Sequence, residues 1–152
     1  MPLPLSWSWS RYRTWRRCPR QFWLSVYDAP RAKRAGVGDA HFEVWIQKHL
    51  MGRAQWRGLA AHRAVEWYVK ALVDGRQVDR EGIVERVLRE ARRTLELSST
   101  GFYRGDPKNF RGLDDHYYDV PVDGAGLIDA LEQTVRTLLW HPVVQRLVDV
   151  PE

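Results

Sequence analysis

The sequence predicts a mainly α protein. Apolar residues recur at intervals of three and four in successive stretches, and Ser, Asp or Gly residues stand where helices would start and stop. No run alternates apolar and polar residues as a half-buried strand would, and no internal repeat or low-complexity tract is visible. At 152 residues the chain is long enough for a real core, and a single helical domain over 1–152 is expected.

The first stretch, residues 6–27, interleaves Trp7, Trp9, Tyr12, Trp15, Phe22, Trp23 and Tyr27 with Arg11, Arg13, Arg16, Arg17 and Arg20. Ser8 or Ser10 suits an N-cap. Pro19 lacks an amide proton and disfavours helix at Cys18, so a kink or two short helices are expected there. Helical spacing assigns the aromatics to the core. The arginines are either phosphate contacts or a solvated face. Residues 1–37 hold eight basic groups and one acid, whereas the remainder holds sixteen basic and eighteen acidic groups. The positive field is thus N-terminal, which bears on partners rather than on fold.

Residues 39–74 read as two helices. Asp39 suits a cap, and Phe42, Trp45, Ile46, His49 and Leu50 keep helical spacing up to Gly52. His41 and His49 lack nearby metal partners and read as ordinary. The second helix runs from Trp56 to Val73, with Leu59, Val65, Val69, Leu72 and Val73 as its expected buried stripe. His62 falls on that stripe, with Glu66 one turn on and Gly58 one turn before. A Gly there lets a backbone or ligand approach closely. Two readings stay open for His62. It is a core histidine satisfied by Glu66 or a carbonyl, or it is a metal ligand.

Asp79 caps the helix at 79–97, whose stripe is Val84, Val87, Leu88, Ala91 and Leu95. Glu85–Arg89 and Arg86–Glu90 pair on its wet face. Residues 98–122 form the longest irregular stretch. Asp114, Asp115 and Asp119 surround His116, but no helical or strand spacing orients them, and they are not taken as a metal site. Asp123 caps the helix at 123–140, with Leu127, Ile128, Leu131, Val135, Leu138 and Leu139 inward. Val143, Val144, Leu147 and Val148 give a last helical turn.

Several classes are excluded. No run approaches a membrane span, and the N-terminus has neither the basic start nor the apolar run of a signal peptide. One cysteine, Cys18, cannot build a disulfide framework and suits a reducing, cytoplasmic setting. No phosphate-cradling loop, Cys-x-x-Cys pair, His-Glu-x-x-His or serine elbow is present. Asp106-Pro107-Lys108 has the letters of a nuclease Asp-x-Lys but no apolar strand before it.

A family resemblance rests on three short motifs in order. Ser6-Trp7-Ser8-Trp9-Ser10-Arg11-Tyr12 with Arg17-Cys18-Pro19-Arg20-Gln21-Phe22 resembles the opening of RecB/AddB-like nucleases of the PD-(D/E)xK superfamily. Gly58-Leu59-Ala60-Ala61-His62 resembles their Gly-x-x-x-His motif, and Asp115-His116-Tyr117-Tyr118 a Glu-His-Tyr-Tyr stretch with Asp for Glu. The resemblance covers the helical N-terminal part of an α/β, restriction-endonuclease-like nuclease domain. It implies that 1–152 is a partial nuclease domain whose sheet, with its Asp and Glu-x-Lys motifs, is absent from this chain. It further implies His62 as a ligand of Mg²⁺ or Mn²⁺, with Glu66 as a partner. Arg11, Arg13, Arg16, Arg17 and Arg20 would bind nucleic acid, and a helicase subunit or domain would be a partner. No catalytic set is complete here. Cys18 stands where some relatives hold an iron–sulfur cluster, but the other cysteines are missing, so it is expected to pack as a small apolar group.

The expected function is therefore the N-terminal portion of a metal-dependent DNA nuclease for repair or recombination, catalytically incomplete as given. The alternatives are a non-catalytic nucleic-acid-binding module and a protein-interaction module using exposed aromatics. Steep salt dependence of DNA binding separates the last from the other two.

Overall fold

The computed structural model describes residues 8–28 and 40–146, which belong to two compact units. Met1–Leu50 with Tyr103–Arg111 is one unit, and Met51–Phe102 with Gly112–Glu152 is the other. No strand occurs among the described residues. The nearest approach is an isolated parallel bridge between Met51 and Leu113, so the mainly α expectation holds. The expected cap Asp39, residues 29–38 and the apolar pair Leu147 and Val148 lie outside the described residues.

In the first unit, α1 (Trp9–Arg17) starts at Ser8, whose hydroxyl accepts the Arg11 amide at 3.3 Å. Arg16 and Arg17 in its last turn suit the negative end of the helix dipole. The chain breaks at Cys18, which is extended at φ −157° and ψ 101°, because the following Pro19 disfavours helix there. It re-enters α2 (Pro19–Trp23) with Pro19 in the first turn, where a missing amide costs nothing. Cys18 departs from expectation. Its sulfur caps α2, accepting the Gln21 amide at 3.4 Å, instead of packing as an apolar group.

A π-helical turn, Leu24–Asp28, follows α2, and α3 (Ala40–His49) packs on it. Phe42 and Ile46 are buried, as their spacing predicts. Lys48 donates to the Ser25 carbonyl at 2.8 Å. Loss of water around its ammonium, helped by the Arg11 charge, lowers its pKa. Arg104, in a 3-10 turn (Phe102–Arg104), donates to Glu43 at 3.0 Å and ties residues 103–111 to α3. Asp106-Pro107-Lys108 is a turn here, closed by Asn109 on the Asp106 carboxylate at 2.7 Å, with Pro107 buried.

The second unit is a three-helix bundle of α4 (Arg53–Val73), α5 (Arg80–Ser99) and α7 (Gly124–Leu139), each packed on the other two. Two short helices, α6 (Asp114–Tyr117) and α8 (Pro142–Arg146), complete it. α5 and α7 open alike. Asp79 accepts the Gly82 amide at 2.9 Å, and Asp123 accepts the Gly126 amide at 2.9 Å. A Cβ at either glycine would press on the capping carboxylate, which would have to shift. α4 ends at Gly75, whose φ of 65° closes the helix in the left-handed region. The α5 and α7 stripes are as the sequence implies, with Val84, Val87, Leu88, Ala91, Ile128, Leu131, Val135 and Leu139 buried. On the wet side, Arg86 pairs with Glu90 at 3.6 Å and lies 4.0 Å over the Trp67 ring. Arg136 bridges Glu132 of its own helix at 2.8 Å and Glu81 of α5 at 2.9 Å.

α4 is the correction. Its buried residues are Trp56, Ala61, Ala64 and Tyr68, while Leu59, Val69 and Val73 are exposed. Ala61 and Ala64 let a neighbouring helix come close, and Trp56 and Tyr68 bury large rings, which outweighs three separate aliphatic groups. His62 consequently faces solvent.

Leu131 is fully buried at the centre of the bundle, so Leu131→Ala should cost about 2–5 kcal/mol in urea denaturation. Val73→Ala, on the outer side of α4, should stay within about 0.5 kcal/mol of the parent.

Candidate functional site

Residues 59, 62, 66, 69 and 73 step by three and four along α4 and so share one outward line. Leu59, His62, Glu66, Val69 and Val73 are all exposed. His62 and Glu66 make no hydrogen bond or ion pair with each other or with any other described residue, so the satisfied core histidine is not what forms. Gly58 lies one turn before His62, and nothing stands within 4 Å of where its Cβ would be. No group of three His, Cys, Asp or Glu residues able to hold a metal occurs among the described residues. A hard divalent cation takes about six oxygen ligands, so His62 with Glu66 does not make a site unaided.

The Asp114–Tyr117 stretch is a one-turn helix, where no ordered spacing was expected. Its two leading acids suit the positive end of the helix dipole. Its side chains are clasps. Arg53 donates to both Asp115 oxygens, from Nε at 3.0 Å and from Nη2 at 2.7 Å, and Nη2 also reaches the Pro121 carbonyl at 3.2 Å. The buried Ser98 hydroxyl accepts the Leu113 amide at 2.8 Å and shares a hydrogen bond of 2.7 Å with Nδ1 of His116. The backbone closes the same region, with Met51 donating to Gly112 at 2.9 Å and Asp114 donating to Met51 at 3.1 Å. The Asp115-His116 pair is thus engaged in holding the residues after α5 to the start of α4.

The N-terminal segment also differs from expectation. α1 buries no residue. Trp9, Trp15 and Trp23 are 72%, 44% and 53% exposed, and of this segment's described aromatics Phe22 alone is buried. Trp7 lies outside the described residues. Arg11 is half-buried, whereas Arg13, Arg16, Arg17 and Arg20 are exposed and form no ion pair with a described acid. Cys18 is the chain's one cysteine and is half-buried.

The Asp115 clasp has a pH signature. Hydrogen bonds from Arg53 hold the Asp115 carboxyl below the usual carboxylate range, with the Arg53 charge adding to this. A carboxyl depressed in the folded state stabilises it above the unfolded value of about 4, and that contribution is lost as pH falls through the lower folded value. Asp115→Asn should therefore lower the urea midpoint at neutral pH, and its gap from the parent should close as pH falls below about 4. A gap independent of pH would contradict the clasp.

A family model described as the PD-(D/E)XK nuclease superfamily matches residues 6–142, which span all the motifs above. No curated protein and no solved structure matches the chain. Members of this superfamily generally use divalent metals. No described helix is long and apolar enough to cross a membrane. The match takes in nearly the whole chain, and the chain belongs to the PD-(D/E)XK nuclease superfamily.

Proposed function

We propose that this chain is the helical, DNA-gripping portion of a metal-dependent nuclease of the RecB/AddB-like type, acting on phosphodiester bonds in DNA repair or recombination. The observation that carries this reading is the outward face of α4. His62 stands on it beside Gly58 and the exposed Leu59 and Val69. An exposed glycine inside a 21-residue helix costs roughly 0.5–1 kcal/mol relative to alanine. Nothing in the bundle calls for it, which favours close approach by something else. His62 would supply one imidazole to a Mg²⁺ or Mn²⁺ held chiefly by carboxylates, with Glu66 as a partner. A bound metal of this kind stabilises charge on a phosphate and activates water. Those carboxylates are not gathered among the described residues, so the chemistry needs a carboxylate-bearing sheet beyond them.

The role of these residues is then binding and placement. Arg13, Arg16, Arg17 and Arg20, with Arg11 behind them, would neutralise phosphates. A helicase subunit or domain would deliver the DNA, and the setting would be cytoplasmic. A second reading, a non-catalytic nucleic-acid-binding or protein-interaction module, is favoured by the lack, among the described residues, of any acid bonded to His62.

The test is cleavage of linear DNA in Mn²⁺ by the natural full-length protein. His62→Ala should lower cleavage by at least about 100-fold while DNA binding in EDTA is unchanged, second-shell losses in metal sites alone reaching about that size. Gly58→Ala should raise stability by roughly 0.5–1 kcal/mol yet lower cleavage. Full cleavage by His62→Ala sinks the metal role. Cleavage by residues 1–152 alone would show that they are not catalytically incomplete.

A further inference from the structure

Trp9 opens α1 and is the most exposed of its aromatic residues. Trp9 is 72% exposed, and large exposed aromatics are expensive to leave in water. Tyr12 lies against it, with ring centroids 5.5 Å apart and planes 29° from parallel. Arg13 and Arg16 follow Trp9 by four and seven residues, so both fall on its side of the helix. They are exposed and form no ion pair with a described acid. Trp9 thus presents an exposed indole bordered by two guanidinium groups that no described acid pairs.

We infer that this face binds single-stranded nucleic acid, with a base stacked on Trp9 and the flanking phosphates taken by Arg13 and Arg16. Every base offers a π-face, so stacking is sequence-tolerant, but in a duplex those faces are already occupied. Arginines alone would grip duplex and single strand similarly. A solvent-facing tryptophan between them selects the unpaired form. Charge complementarity argues against a basic or neutral protein as occupant, because residues 1–37 hold eight basic groups and one acid. The inference takes its ligand class from the nuclease reading but does not depend on catalysis.

The experiment is fluorescence anisotropy of the whole chain with a labelled oligothymidylate and with a duplex of equal length, in EDTA. The single strand should bind about tenfold tighter or more. Trp9→Ala should weaken it by roughly five- to 100-fold, and Trp9→Phe should restore most of the loss. The doubly substituted Arg13→Ala, Arg16→Ala chain should lower the log–log salt slope by about 1.4, at about 0.7 per phosphate contact. Trp9 is exposed, so unchanged circular dichroism should accompany each change. Equal affinity for duplex, or a Trp9→Ala chain that binds oligothymidylate like the parent, overturns the inference, and with it a protein or a second copy becomes the occupant. Because cleavage is not read, such a failure leaves the role of His62 untouched. Loss of the His62 role would equally leave this binding intact.

Discussion

Helix α4 carries two apolar stripes and can bury only one. The stripe with Ala61, Ala64 and Tyr68 enters the bundle, and the stripe with Leu59, Val69 and Val73 is left outside. The role proposed for His62 follows from that choice. Tyr68 is fully buried, its hydroxyl directed at the Val144 carbonyl at 3.5 Å, with Arg80 reaching it at 3.4 Å. Small residues at 61 and 64 bring the helix axes close enough for this ring to be enclosed. With the helix rotated in this way, His62 and Glu66 point to water. They form the polar centre of an apolar surface suited to a further layer of structure.

Polar groups then fix the start of α4. Its cap, Gly52, offers no side chain, so Arg53 in the first turn is held from outside, by Asp115 and the Pro121 carbonyl. Ser98 does the same for the end of α5 through Leu113 and His116. The Ser98 hydroxyl is committed inside the protein, to the Leu113 amide and to the His116 ring. That geometry makes the Ser98–His116 pair a fastening. It does not make it a nucleophile and base, because the oxygen is buried and already accepts an amide.

Much of this was legible in the sequence because it is local. Asp79 and Asp123 as caps, the break at Cys18-Pro19 and the stripes of α5 and α7 depend on residues within one or two turns. The rotation of α4 was not legible, because both of its stripes keep helical period, and only the shapes of α5 and α7 decide between them. The exposed tryptophans of α1 failed for a related reason. Periodicity reports that aromatics share a side, not that another element arrives to cover it. The one-turn helix at Asp114 is too short to have a period, and its clasp partners lie 62 and 18 residues away. The Gly-x-x-x-His spacing and the Cys-Pro turn did point to the superfamily, which the family match over residues 6–142 bears out.

The rotation of α4 is best measured by histidine modification. Diethyl pyrocarbonate applied to the folded chain, with peptide mass spectrometry, reads each imidazole separately. His62 should react much faster than His116, whose Nδ1 is held by the buried Ser98 hydroxyl. A His62 as slow as His116, becoming fast only on unfolding in urea, would place it inside the bundle and remove the surface on which the proposed function stands.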